Sequence, residues 1–429
     1  MNILFGFIPI LHWLPKYKIR EYLLNDLIGG FTVGIMHVPQ GMAYASLAGL
    51  DPINGLYTSF FPPLIYMFFG TSRHISLGVF AIVSLMVGST NIRVTEEINQ
   101  FAITQNLTTL VDGLRYVVTA LTLCVGLIQI VMGLLRLDFL TQYMSDQVIK
   151  GFTTGAAVHV FVAQLNKLIG VPLSRHSGFG KLFKVIRDLY EELSSANMVT
   201  ITISTINIIV LYVCKNYLSV RLKKVSRIPV PFDLIIVIIG LIISKVLQLE
   251  TSYNVQVVGN IPIGLPSPAM PKLSLFPYIW SDALAISIIV IVVGVSMGSL
   301  FAKKNNYAID IRQEFYAMGL TECGSSLFPC WPAATALARS VIYESAGTKT
   351  QVHAIILLRI IKLYFLVCIL SSVIIVALKG IFIQFLELET LWLQSKIDFV
   401  SLSLYLFIGN HRKALNHLGS LFHILRHFG

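Results

Sequence analysis

Two short apolar runs carry the residue types most able to do chemistry. The stretch "GTSRHISLGVFAIVSLMVG" (70–88) opens with a polar turn and is apolar only from Ile75 to Gly88. The stretch "TALARSVIYESAG" (335–347) places Arg339 inside a comparable run. A bilayer crossing needs about 20 apolar residues, so each run falls short by a turn or more. A half-length helix crosses only when its other half is extended backbone buried in protein, because unpaired backbone in lipid is too costly. Two such segments, one in each half of a chain, bring two helix N-termini together near the midplane, each with unpaired N–H groups and a positive dipole end. That arrangement attracts an anion. Arg339 adds a charge whose insertion costs at least ~2.5 kcal/mol, so it pairs or binds something. The plainer reading is a salt bridge to Glu344 or a place in an aqueous vestibule.

Other chemical signals dissolve in context. "GVSMG" (294–298) matches the G-x-S-x-G nucleophile pattern, but that motif needs a strand-to-helix elbow. Here it lies inside "ISIIVIVVGVSMGSLFA", where Gly294 and Gly298 form a small-xxx-small packing face. No HExxH, P-loop or GxGxxG occurs, so the reading is of a protein that is not an enzyme and needs no cofactor. Five scattered cysteines form no CxxC pair and read as apolar filler, Cys323 and Cys330 included.

The elements that must position these residues are membrane spans. The 429 residues are 55% hydrophobic and 12% charged, with a mean hydropathy of +0.76. Soluble domains carry about twice that charged fraction. Apolar segments recur at 27–47, 55–70, 75–90, 114–135, 147–170, 198–214, 232–248, 282–302, 314–329, 336–346, 354–378 and 397–409. Pro39 and Gly41 suggest a local break in the first. Lys215, Arg221, Lys223, Lys224 and Arg227 cluster in one loop, and Lys303, Lys304 and Arg312 in another. Counting each short run as one crossing puts both loops on the side of the N-terminus, which the positive-inside rule makes cytosolic. The stretches 91–113 and 249–279 then face outside, and the first carries the sequon Asn106-Leu107-Thr108, a glycosylation site at Asn106. The net charge of +11 is therefore mostly topology, and no nucleic-acid partner is expected. Arg73 and His74 read as ordinary positive-inside residues without a ligand role. Asp310 and Glu314, near the same side, read as structural.

At these residues the chain resembles the SulP sulfate permease and anion exchanger family. The stretch "HVPQGMAYASLAGLDPINGLYTSFFPPLIYMFFGTSRHISLGVFAIVSL" is similar to the family's first three membrane segments. "NVQVVGNIPIGLPSP", "FAKKNNYAIDIRQEFYAMGL", "TALARSVIYESAGTKTQ" and "LKGIFIQFLELETLW" are similar to later blocks, so the resemblance covers about residues 10–400. It implies an all-α polytopic membrane protein, an inverted-repeat (7+7) transporter in which a core bundle moves like an elevator against a gate bundle. The half-helices at 75–90 and 336–346 would be its third and tenth segments. The resemblance also implies an anion site from Gln40 and Tyr44 on the first segment, Phe80 and Ala81 at the start of the third, and Ala336, Leu337, Ala338 and Arg339 at the start of the tenth. Ala at 336 and 338, where chloride-handling members have Ser, leans toward a divalent oxyanion. Ser299 stands where proton-coupled members have Glu, which favours exchange over proton symport.

The organisation expected on this basis is a cytosolic or interfacial arm at 1–25, the first part of the core at 26–137, the first part of the gate at 143–248 and the second part of the core at 280–350. A compressed, incomplete stretch follows at 351–409, with Arg359 and Lys362 in what should be lipid-facing helix. A His-rich tail at 410–429 resembles no family segment and is assigned no metal site. The family's cytosolic STAS domain is expected to be missing, with the C-terminal segments incomplete. The expected partners are inorganic or small organic anions, the lipid bilayer and a second copy in a homodimer, in the plasma membrane with a cytosolic N-terminus. The expected activity is secondary active exchange of sulfate, oxalate, chloride or bicarbonate. The alternatives are an anion channel or voltage-sensitive motor using the same pocket, or a non-transporting truncated subunit.

Overall fold

The computed structural model describes residues 8–105, 110–137, 158, 161–171, 173, 181–222, 232–257, 264–351, 372, 375 and 376. A helical turn at Ile10–Trp13 and a 3-10 turn at Leu14–Lys16 precede the first long helix. Helix α1 spans Ile19–Ala48 and ends where Gly49, at φ 75°, adopts the left-handed conformation, which glycine enters without Cβ strain. Pro39 lies inside α1 without ending it. The expected break is thus absent: proline removes one intrahelical bond, which a helix held on both sides by neighbours tolerates. Helix α2, Pro52–Phe69, starts with proline in its first turn and stops at Gly70. There the chain extends into β1, Leu77–Gly78, and then forms α3, Ala81–Gln105, and α4, Leu110–Leu134.

The later elements repeat this order. After α5 (Met198–Val213) and α6 (Phe232–Val246) come α7, Phe276–Lys304, and α8, Ile311–Ser325. The two-residue strand β2, Ala334–Thr335, then leads into α9, Leu337–Ala346. A long helix, a shorter one, an extended pair and another helix thus occur twice. The two extended pairs meet as an antiparallel ladder, Leu77 opposite Thr335 and Gly78 opposite Ala334. Opposed directions at this crossing are what an inverted repeat requires.

Close helix contacts rest on missing side chains. A Cβ added to Gly55 of α2 would sit 1.9 Å from the Gly41 carbonyl oxygen of α1, and one on Gly126 of α4 would sit 2.7 Å from that of Gly319 on α8. Gly294 and Gly298 pack as the small-xxx-small pattern implies, against Met318 and Ile309. Both lie within α7, so "GVSMG" has no strand-to-helix elbow. Segments at Gly113–Leu134, Met198–Leu218 and Leu273–Lys304 are helices long and apolar enough to cross a membrane.

The third segment differs from its expected form. Its apolar part is short, Ala81–Val94, but the helix runs on to Gln105, into the stretch expected as an outer loop. The more polar stretch Thr95–Gln105 includes good helix formers and no Gly or Pro, so nothing stops the helix where the apolar run ends. Arg93, near the end of the apolar stretch, forms an ion pair with Asp282 of α7. Asn106, the stretch 147–157, and the expected segments at 354–378 and 397–409 with the tail lie outside the described residues, apart from residues 372, 375 and 376.

Candidate anion site

The β1–β2 crossing brings the starts of α3 and α9 together. The Phe80 carbonyl accepts the Ser84 N–H at 2.9 Å, and the Ala336 carbonyl accepts the Ser340 N–H at 3.0 Å. Phe80 and Ala336 are therefore the residues at which the two helices begin, leaving the N–H groups of each first turn without intrahelical partners. Around them the two segments are laced to each other. The Ala336 N–H donates to the Ser76 carbonyl at 3.0 Å, and the Ser76 N–H donates to Ser340 Oγ at 2.9 Å. Gly78 holds φ +144°, and a Cβ there would lie 2.8 Å from His37 Cε1. Glycine is what lets this strand pass so close to α1.

Arg339 sits at the centre with none of its surface exposed. Its Nε donates to Ser76 Oγ at 3.1 Å, its Nη1 to Gln40 Oε1 at 2.9 Å and its Nη2 to the Val79 carbonyl at 2.9 Å. All three acceptors are neutral, and among the described residues Arg339 forms no ion pair. The alternative partner, Glu344, instead takes Lys304 at 2.9 Å. The reason is directional: α9 places Arg339 on the face turned to α1 and β1, while Glu344 looks toward the end of α7. A buried guanidinium bound only by neutral oxygens leaves its positive charge uncompensated at the two helix N-termini, where dipoles of the same sign converge.

The other expected residues are distributed around this point. Gln40 is buried and serves as an Arg339 acceptor. Tyr44, one turn further along α1, and Ala81, the first residue of α3, are both buried. Phe80 is half-buried against the core. Ala336 is half-buried, and Leu337 and Ala338 are exposed, so the first turn of α9 opens outward while Arg339 turns inward. Three further residues belong here and were not anticipated. His37 places Nε2 3.2 Å from Ser76 Oγ, and Ser76 and Ser340 close the lacing between segments. The spacing of His37 and Gln40, three residues apart on one helix, puts both on one face and was the available signal.

The base of the site is held by carboxylates, of which Asp26 and Glu314 are buried. Glu314 accepts the N–H groups of Thr71 at 2.7 Å and Ser72 at 3.1 Å and the Tyr66 hydroxyl at 2.7 Å, which makes it structural. Asp310 is structural too, capping α8 by accepting the Gln313 N–H at 3.1 Å. Asp26 accepts the N–H groups of Lys349 at 2.7 Å and Thr350 at 3.2 Å. His74 is not a solvent-facing cation: it is buried, with Nδ1 3.1 Å from the Tyr307 hydroxyl and Nε2 3.1 Å from the Thr348 carbonyl. Burial pushes its pKa below the usual histidine value. A carbonyl only accepts, so Nε2 carries the proton and Nδ1 accepts from Tyr307. Arg73 stays exposed, its guanidinium carbon 5.1 Å from the centre of the Tyr307 ring.

Crossed extended pairs, repeated in opposite directions within a helical bundle, define an all-α polytopic membrane protein of the inverted-repeat transporter class. The chain belongs to the sulfate permease family, which matches residues 23–404. It is 39% identical to prestin from Danio rerio over 92% of this chain and 56% of that protein. It is 38% identical to human solute carrier family 26 member 6 over 92% of this chain and 53% of that protein. The chain thus spans about half the length of the curated relatives it matches. It superposes on SLC26A9 with a TM-score of 0.91 at 29% identity, covering 99% of this chain and 68% of that one. The transmembrane domain of the cyanobacterium bicarbonate transporter BicA, at 17% identity and a TM-score of 0.74, covers 91% of this chain and 97% of that one and shares the fold.

Proposed function

We propose that this chain is the membrane part of a secondary anion transporter, binding its substrate between the first turns of α3 and α9. The observation that supports this reading most is Arg339, fully buried and bound among the described residues by neutral acceptors alone, beside two helix N-termini. A small anion there gains from the guanidinium charge and from unpaired N–H groups, without a metal or cofactor. Gln40, Tyr44, Phe80, Ala81, Ala336, Leu337, Ala338 and Arg339 form the proposed site. Gln40 orients Arg339, and the aromatic rings of Tyr44 and Phe80 exclude water. Small residues at 336 and 338 leave room for a tetrahedral oxyanion, so sulfate stands before chloride, with oxalate and bicarbonate as further substrates.

In this reading residues 26–137 and 280–350 form a core that moves against a gate including 143–248, carrying the site from one side to the other. The N-terminus is cytosolic, the membrane is the plasma membrane, and Asn106 faces outward as a glycosylation site. A homodimer is the proposed assembly. The test is radiolabelled sulfate uptake by purified chain in liposomes. Saturable uptake that needs an anion on the opposite side supports exchange. Steady anion current in patch-clamp without a counter-anion would make the chain a channel. A chain inactive alone that alters the flux of a longer relative on co-expression would be a modulating subunit.

A further inference from the structure

A second basic site lies away from the β1–β2 crossing, at the end of the bundle where α1 begins. A cavity of about 450 Å³ opens there between the arm before α1, the turn after α2 and the segment following α9. Its walls carry His12, Lys16, Arg73 and Lys349, with Trp13 and Tyr22 as flat apolar surfaces, and no acidic residue. The volume lies in the range of small-molecule sites, about 300–1,000 Å³.

The charges in this cavity meet only neutral neighbours among the described residues. Among the described residues, Lys16, Arg73 and Lys349 form no ion pair. Lys16 Nζ lies 3.0 Å from His12 Nε2, and Arg73 stacks over Tyr307. The two carboxylates behind the wall, Asp26 and Glu314, are turned to backbone N–H groups and neutral hydroxyls. Asp26 holds the N–H groups of Lys349 and Thr350 and the Tyr17 hydroxyl, and Glu314 holds those of Thr71 and Ser72. Among the described residues neither carboxylate forms an ion pair with Lys349 or Arg73. Three cations and an imidazole from three parts of the chain surround more space than a single monovalent anion fills.

The segments that supply the cavity wall add a second observation. Leu14, in the arm that carries His12, Trp13 and Lys16, and Ile19, Leu23 and Leu24, in the first turns of α1 that carry Tyr22, are exposed at 49%, 65%, 37% and 66%. Apolar residues next to a basic pocket fit a bilayer boundary, where basic pockets hold phosphorylated headgroups and Trp and Tyr sit at headgroup level.

We infer that this cavity binds a group carrying two or more phosphates, such as a phosphoinositide headgroup, through Lys16, Arg73 and Lys349 with its ring against Trp13. The inference rests on the reading of this face as cytosolic, and its test reads binding rather than transport, so either reading can fail without the other. The walls include the feet of both crossed segments, residues 70–73 before β1 and 349–351 after α9. An occupant therefore braces the two segments that carry the proposed anion site.

The full chain in nanodiscs is titrated with phosphatidylinositol 4,5-bisphosphate in the bilayer, and separately with soluble inositol 1,4,5-trisphosphate. Saturable binding of both assigns the site to the phosphorylated group itself, and binding of the lipid alone assigns it to a membrane-presented headgroup; either supports the inference. Lys16→Ala with Lys349→Ala, neither side chain holding an ion pair among the described residues and the double variant expected to fold, should weaken binding at least tenfold, and Trp13→Ala should weaken it severalfold. Absence of binding in both arms overturns the inference. So does binding unchanged in the double variant, or binding matched by phosphatidylserine at equal total charge.

Discussion

Arg339 donates through Nη1 to Gln40 Oε1 at 2.9 Å, which fastens the first turn of α9 to the middle of α1, 299 positions away in sequence. Arg339→Gln removes the charge and leaves Gln40, Ser76 and Val79 without their donor. The expected cost is roughly 3 kcal/mol of stability and loss of anion exchange by tenfold or more. Arg339→Lys keeps a charge but cannot span three acceptors with one ammonium. It should retain part of the anion affinity while lowering the unfolding temperature. Sulfate uptake and thermal unfolding in detergent, measured on both variants, separate the two roles. Uptake unaffected in Arg339→Gln would refute the site.

Gly78 is the second sensitive point. Its φ is +144°, and a methyl group at this position would meet His37 Cε1 at 2.8 Å, so alanine is strained by conformation and by contact. Gly78→Ala should destabilise by about 1–3 kcal/mol and displace β1 from β2, since Gly78 is paired with Ala334. Lower thermal stability together with a raised half-saturation concentration for sulfate is expected. An Ala variant with both values unchanged would mean that the crossing is looser than its geometry implies.

His74 makes stability depend on pH. Its folded-state pKa lies below the usual value of 6.5, chiefly because burial disfavours the charged ring. The unfolded chain therefore takes up the proton first as pH falls. The stabilisation is complete above the unfolded value and is lost progressively between that value and the lower folded one. Protonation also places an N–H on Nδ1, which must then donate to Tyr307 rather than accept from it. The unfolding temperature should drop from pH 7.5 to pH 5.5, and His74→Gln should flatten that drop. A slope unchanged in the variant would assign the pH dependence to other groups.

How much of this was legible beforehand follows from the range of each interaction. The half-length apolar runs could be read because the comparison with bilayer thickness is local. The resemblance then carried the fold and the placing of Gln40 and Arg339. The identity of the Arg339 acceptors could not be read, because Ser76 and Val79 lie more than 250 positions away and become neighbours only through the β1–β2 crossing. Burial of His74 was hidden for the same reason, its partners Tyr307 and Thr348 being supplied by distant loops. The continuation of α3 past Val94 was missed because hydropathy reports where a helix leaves the bilayer, not where its hydrogen bonds stop. Pro39 misled in the opposite direction, since its local signal was overridden by packing on both sides of α1.

Glu322 on α8 tests whether a carboxylate in the bundle interior is there for its charge. It is 1% exposed and its Oε1 accepts the Ala333 N–H at 2.8 Å, just before β2. Its Oε2 has no partner among the described residues. An acceptor is therefore required at this position, whereas a negative charge is not. Glu322→Gln keeps an acceptor for the Ala333 N–H, so stability and sulfate uptake should stay near wild type. Glu322→Ala leaves that N–H buried and unsatisfied, which costs about 1–3 kcal/mol and frees the strand that positions α9. Loss of uptake in Glu322→Ala with retention in Glu322→Gln is the expected pattern in liposomes. If Glu322→Gln abolished uptake while its unfolding temperature held, the charge itself would be needed, and Glu322 would have to titrate or pair during transport.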